Sequence, residues 1–317
     1  MASTDYELVI PDTFVFPGQG GQKIGMFRGQ YEINPVVREM YDRADEVTLR
    51  RLGRKVSEVS FYGPQDTLDQ TIWIQPSVFV ASSAAHEVLK RRGIKPKKVA
   101  GHSVGEFAAL NAAGVLDFEN NLEVVIERGL AMDEVGHEAS GGMAALLGMS
   151  QRKARDVARI FETQVANINS PKQVVISGIK DNIDAAVSYV KGLEIRGIDA
   201  SVLNIPLAAH SRLMKKARQR MNKDVLPYFD FKKPNVDIAF YSNQAQRLTD
   251  PELIRQHLAA QLTKSVLWYK GVSLMIQEGA KNVVEVGYGT TLTKLLRRDF
   301  RNLVHIIPVE QYLSSET

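Results

Sequence analysis

The chain has 317 residues, 44% of them hydrophobic and 24% charged, and carries a formal net charge of +4 from 40 Lys and Arg against 36 Asp and Glu. That composition fits a soluble globular protein with one large domain carrying an insert, or two domains, and argues against a disordered, collagenous or membrane-embedded chain. Cysteine is absent, which excludes disulfides, thiolate metal sites, iron–sulfur clusters and a cysteine nucleophile.

The N-terminus, with Asp5, Glu7 and Asp12, lacks the basic and apolar segments of a secretion or transit signal, so a cytoplasmic location is expected. Thr13-Phe14-Val15-Phe16 then reads as a buried first strand that runs into the glycine-rich loop Pro17-Gly18-Gln19-Gly20-Gly21. A second unit of this kind starts at Lys98-Val99-Ala100, turns through Gly101-His102-Ser103-Val104-Gly105 and continues as the alanine- and leucine-rich helix from Glu106 to Ala113. Between about residues 140 and 206 the rhythm changes. Strands are predicted over Met143–Met149, Gln164–Asn169, Gln173–Gly178 and Ala200–Ile205, and helices over Ser150–Glu162 and Asn182–Leu193. That order, βαββαβ, is the ferredoxin-like split unit. Strand-like runs return at Ile238–Tyr241 and Asn282–Val286 between helical stretches. The reading is an α/β protein: a large, α/β-hydrolase-like domain with a parallel sheet (1–138 and 207–317) and an inserted ferredoxin-like small domain (139–206). The cleft between the two is the expected ligand site. No apolar run reaches the about 18 residues of a membrane-spanning helix. No aromatic-interleaved basic stripe recommends nucleic acid, and the basic clusters, Arg91 to Lys98, Lys215 to Arg220 and Lys294 to Arg301, read first as solvated helix faces.

Gly101-His102-Ser103-Val104-Gly105 fits the G-x-S-x-G elbow. A sharp strand-to-helix turn exposes a serine oxygen, small neighbours relieve crowding, and the amide after the serine faces a developing oxyanion. Such a serine needs a base, and the chain has six histidines: His86, His102, His137, His210, His257 and His305. His102 adjoins the serine and would point away from it. The usual hydrolase order favours His305 with an acid such as Glu285, whereas His210 sits in the polar stretch that ends the small domain. Arg128 reads, by position alone, as a helix-surface arginine beside Glu123 or Glu127.

Taken in order, Phe16-Pro17-Gly18-Gln19-Gly20, the elbow with Glu106-Phe107, Gly142-Met143-Ala144-Ala145, Asn169-Ser170-Pro171 with Gln173-Val174-Val175, the His210 segment and Glu285-Val286-Gly287 resemble the malonyl-CoA:acyl-carrier-protein transacylases and the acyltransferase domains of polyketide and fatty acid synthases. The resemblance runs from about residue 14 to 298, nearly the whole chain. It implies Ser103 as nucleophile and His210 as base, oriented by a backbone carbonyl, which demotes His305. It also implies an oxyanion hole from the amides of Gln19 and Val104, with Gly18 and Gly20 letting the loop approach substrate. Arg128 would hold the free carboxylate of a malonyl group, and Gln261, Asn169 and Gln75 would line the substrate site. Malonyl-CoA is then a substrate, with no permanently bound cofactor or metal; an acyl carrier protein is the partner, and a monomer is expected. Lys215 and Lys216 are expected to meet that carrier. A serine acyl-hydrolase is the alternative activity. In polyketide members the four residues ending at the histidine follow the acyl unit, His-Ala-Phe-His or Tyr-Ala-Ser-His; Leu207-Ala208-Ala209-His210 matches neither, and Ala209 removes bulk there.

Overall fold

A computed structural model describes residues 9–138 and 140–313; Asp5 and Glu7 of the N-terminal segment, residue 139 and the side chain of His137 lie outside the described residues. Among the described residues, ten strands form two sheets. In chain order they are β1 (Thr13–Phe16), β2 (Lys98–Gly101), β3 (Gly141–Leu147), β4 (Gln164–Ser170), β5 (Gln173–Ile179), β6 (Asp199–Val202), β7 (Ala239–Tyr241), β8 (Arg247–Leu248), β9 (Asn282–Glu285) and β10 (His305–Ile307).

The first sheet runs β10-β9-β1-β2-β7-β8 and is parallel except for β8. Every residue of β1 is fully buried, as a central strand covered on both faces must be. Phe14 and Phe16 enter one apolar core, with the long helices Pro35–Leu52, Thr71–Arg91 and Phe118–Glu138, while Val15 points into a second core beneath the helices Trp268–Gln277 and Thr291–Phe300. The chain first extends the sheet from β1 through β2 to β7, then reverses to add β9 and β10 on the other side. Loops at the carboxyl ends of β1 and β2 therefore flank the crevice where an open α/β sheet binds its ligands.

The second sheet has the order β4-β5-β3-β6, antiparallel throughout, with helices Gln151–Ile160 and Lys180–Gly192 on one face and a core of its own. This is the ferredoxin-like arrangement that the βαββαβ order predicts. Its last strand is shorter than the sequence suggests: Asp199–Val202 pairs with β3, and the chain then leaves the sheet towards Pro206, which has no N–H for a ladder. Strand β4 faces outward from its sheet onto the large framework. Its Ala166 and Ile168 exchange backbone hydrogen bonds with Val266 at 2.8 Å each, and Ser265 Oγ donates to the Val165 carbonyl at 2.6 Å. The two sheets thus meet along β4, beside the elbow after β2. Among the described residues no helix is long and apolar enough to cross a membrane.

Candidate active site

Ser103 sits in the turn between β2 and the helix Gly105–Ala112, with φ of 52°. The turn closes because its neighbours lack side chains: a Cβ on Gly101 would collide with the backbone of Gly105, and one on Gly105 with the carbonyls of Phe16 and Pro17. The loop after β1 is strapped to the same turn, since His102 N donates to the Phe16 carbonyl at 2.9 Å. Gly18 packs against the His102 carbonyl, where a Cβ would not fit; close packing onto the elbow is thus a structural reason for that glycine. Gln19 is partly buried in this loop, and Val104, buried, begins the helix after Ser103.

Ser103 Oγ lies 2.8 Å from His210 Nε2, and His210 Nδ1 donates to the Gln261 carbonyl at 2.8 Å. Because Nδ1 carries the proton, Nε2 has the lone pair that accepts from the serine hydroxyl. His210 is also held at a left-handed φ, 58°. Strain of this kind at both members of a pair is the pattern of a site that the surrounding fold over-determines. Burial, and then the charge of Arg128, push the His210 imidazole down to about 3, so at neutral pH it is an unprotonated base.

Arg128, on the helix Phe118–Glu138, is 1% exposed. It is not a surface residue: Glu127 pairs instead with Arg51 and Arg220, and Glu123 with Arg50 and Arg51. Its Nη1 donates to Gln75 Oε1, its Nη2 to Gln261 Oε1 at 3.2 Å and to Ser103 Oγ at 3.4 Å, and its Nε, also buried, has no partner. Burial lowers the guanidinium to about 10, against the opposing pull of Glu106, which leaves it charged at neutral pH. The site therefore holds a serine–histidine pair beside a buried cation that has donor capacity to spare.

Asn169, on β4, accepts from His102 Nε2 at 2.9 Å. Asn167 Nδ2 lies 3.4 Å from the same nitrogen; one nitrogen cannot donate and accept at once, and the shorter contact to a carbonyl oxygen sets the tautomer. His102 thus turns away from Ser103 and ties the elbow to the second sheet, with Trp268 edge-on to its ring.

The His305–Glu285 scheme is overturned. His305 is exposed on the edge strand β10, and Glu285, buried, accepts from the amides of Leu292 and Thr293 at the start of a helix. In the basic cluster after His210, Lys216 pairs with Glu138 at 2.5 Å and Arg220 with Glu127 and Glu134, while Arg218 donates to the Thr263 hydroxyl and Lys215 is exposed. Three residues have roles that sequence reasoning does not assign. Asn243 accepts from Ser103 N at 3.1 Å; Glu106, fully buried, accepts from Gln261 Nε2 and Asn243 Nδ2 at 2.6 Å each; His257 Nε2 donates to Glu106 at 2.9 Å. An acid inside the otherwise apolar run Glu106-Phe107-Ala108-Ala109-Leu110 is the one available signal, and at the first turn of a helix it reads equally as a dipole-favoured surface residue. Among the described residues no group of His, Asp and Glu is placed to hold a metal ion.

Burial of neutral histidines has a consequence for stability. His210 and His86 are held at about 3 and about 4 in the folded chain, below the roughly 6.5 of an unfolded histidine. The unfolded state thus binds more protons once pH falls below about 6.5, and stability is lost in that direction. Urea unfolding at pH 7 and pH 5 is expected to show a loss on the order of 2 kcal/mol per histidine, and His210→Gln is expected to flatten the dependence. Equal stability at the two pH values would contradict the buried, neutral assignment.

A family model described as the acyl transferase domain matches residues 13–314. A polyketide-biosynthesis malonyl CoA-acyl carrier protein transacylase of Bacillus subtilis (strain 168) is 35% identical over 291 residues, 90% of this chain and 96% of the relative. The solved structure of the malonyl CoA-acyl carrier protein transacylase from Coxiella burnetii superposes with a TM-score of 0.88 at 30% identity and covers 96% of each chain. A malonyl-transacylase solved in complex with its type II polyketide acyl-carrier protein gives a TM-score of 0.86 at 31% identity, over 95% of this chain and 97% of that one.

Proposed function

The chain belongs to the acyl transferase domain family, and from that premise we propose that it moves a malonyl group from coenzyme A, through an ester on Ser103, to the phosphopantetheine thiol of an acyl carrier protein, in fatty acid or polyketide biosynthesis. The observation that carries the reading is the buried guanidinium of Arg128 beside the Ser103–His210 pair. A planar cation with two nitrogens to offer matches a carboxylate by two parallel charge-assisted hydrogen bonds, and a neutral acyl group would have no use for it.

The Ser103–His210–Gln261 contacts support the following steps, with the oxyanion hole taken from the family resemblance. His210 Nε2 takes the Ser103 hydroxyl proton as the oxygen attacks the thioester carbonyl. The resulting oxyanion is held by the amides of Gln19 and Val104, the roles assigned to these two residues. Collapse breaks the carbon–sulfur bond, and the departing coenzyme A thiolate takes the proton from His210. In the second half the carrier thiol gives its proton to His210, attacks the malonyl ester and releases Ser103, which recovers its proton. His210 is an effective base because it starts neutral, and the Gln261 carbonyl does the orienting that a carboxylate does in a catalytic triad. Gln75 and Gln261 hold Arg128 in place, and Asn169 lines the side formed by the second sheet. That sheet forms the small domain that we assign to residues 139–206, and its β4 meets the large framework at Ser265 and Val266. Malonyl-CoA serves as substrate, and the mechanism calls for no permanently bound cofactor. A monomer in the cytoplasm fits this role.

A hydrolase would share Ser103 and His210 and differ only in the acceptor; the similar proteins described above are named for transfer to a carrier. The test is the fate of the acyl group. Enzyme loaded with radiolabelled malonyl-CoA and freed of excess donor is expected to pass its label to added phosphopantetheinylated carrier far faster than it loses label to buffer. Label released as free malonate at the same rate with and without carrier would establish the hydrolase instead.

A further inference from the structure

A guanidinium that is 1% exposed needs a compensating charge, yet its partners are two amide oxygens and a hydroxyl. The compensating carboxylate stands one amide away. Gln261 Oε1 accepts from Arg128 Nη2 at 3.2 Å while its Nε2 donates to Glu106 Oε2 at 2.6 Å. Glu106 is 0% exposed and accepts four hydrogen bonds: from His257 Nε2 and Asn243 N at Oε1, both 2.9 Å, and from Asn243 Nδ2 and Gln261 Nε2 at Oε2, both 2.6 Å. An ionised carboxylate only accepts. Both amides must therefore present nitrogen to Glu106 and oxygen elsewhere, Gln261 to Arg128 and Asn243 to the Ser103 amide at 3.1 Å.

We propose that Glu106 is a positioning residue for acyl-group selection: it fixes the orientation of Gln261 and Asn243 and holds the counter-charge of Arg128 at one amide's remove. The cation stays charged in the dry site, and no carboxylate of the protein occupies the face that the substrate's carboxylate needs. Were Glu106 in direct contact with Arg128, it would compete with malonyl for the same donors. The inference rests on the reading of Arg128 as the malonyl clamp.

Glu106→Gln makes the test nearly isosteric. The new amide nitrogen cannot face the backbone N–H of Asn243, which has no alternative orientation, so it turns to the Oε2 side and drives Gln261 to present nitrogen to Arg128. Acyl-enzyme formation from malonyl-CoA and acetyl-CoA, measured for wild type, Glu106→Gln and Arg128→Met, is the experiment. The expected result for Glu106→Gln is a loss in kcat/KM for malonyl-CoA at least tenfold larger than the loss for acetyl-CoA, carried mainly by KM, as befits lost binding of a group that does not react. Equal losses for both substrates, or none, would overturn the proposal while Arg128→Met still abolishes the preference; an unchanged preference in Arg128→Met would instead remove the clamp itself. If Glu106→Gln does not fold, Gln261→Glu decides the matter. The new carboxylate meets Glu106 where the amide nitrogen stood, so the two share one proton and an anion sits directly on Arg128. The malonyl-CoA KM should rise at least tenfold more than the acetyl-CoA KM, and equal changes in the two would refute the role given to the intervening amide.

Discussion

Ser103→Ala is expected to form no acyl-enzyme with any acyl-CoA and to transfer malonyl to carrier protein at least about 10⁴-fold more slowly than wild type, the scale on which loss of a nucleophile acts. The residual rate can come only from direct attack of the carrier thiol, deprotonated by His210, on malonyl-CoA held near the remaining donors, because no hydroxyl is left to form the acyl-enzyme. Stability should change little: Ser103 is only partly buried, and its hydroxyl makes one short contact, to His210, and one long one, to Arg128 at 3.4 Å. Retained acylation in this variant, followed by mass spectrometry, would mean that another side chain carries the acyl group.

Arg128→Met has the second largest expected effect and separates function from stability. A buried, hydrogen-bonded charge pair is worth about 3 kcal/mol when one partner is truncated, so kcat/KM for malonyl-CoA should fall roughly 10²-fold, whereas that for acetyl-CoA should stay level. In the free enzyme the guanidinium has no direct carboxylate partner and an orphaned Nε. Methionine removes the cost of a desolvated cation but leaves Glu106 buried without its counter-charge and the Gln75 and Gln261 side-chain oxygens without a donor, and removing one partner of a buried pair is destabilising. Thermal unfolding is therefore expected at a lower temperature than wild type. Retained turnover of acetyl-CoA by the folded variant shows that the lost malonyl preference is not loss of fold; parallel loss with both substrates would contradict the clamp.

The parts of the site that were legible in the sequence are those built from neighbours in the chain. The elbow at Gly101 to Gly105 is local, and the reason its glycines are required, contact with the turn itself and with the end of β1, acts over a few residues. The second sheet was legible because βαββαβ patterning is a property of one continuous segment; β6 was overextended, since apolar residues up to Ile205 carry the same pattern after the ladder stops at Val202, and β3 lies two residues earlier than expected, at Gly141–Leu147 instead of Met143–Met149. Partners brought together by folding were not legible from local pattern. Ser103 and His210 are 107 residues apart, and Ser103 and Asn243 are 140 apart; the usual hydrolase order of serine, acid and histidine favours His305, which the fold leaves on an edge strand. The family resemblance supplied His210, Arg128 and Gln261. Neither route assigned a role to Glu106, His257 or Asn243, because a buried carboxylate whose partners come from 137 to 155 residues away leaves no mark of them in its own neighbourhood.

The central claim is that a buried cation beside Ser103 and His210 selects a dicarboxylic acyl group for covalent capture. Its most direct test is intact-protein mass spectrometry of wild-type enzyme mixed with equimolar malonyl-CoA and acetyl-CoA, with the modified peptide then identified. The account predicts a single malonyl adduct on Ser103, with acetyl adduct appearing only when malonyl-CoA is withheld or Arg128 is replaced by methionine. Equal labelling by the two donors, or malonyl carried by any residue other than Ser103, would contradict it.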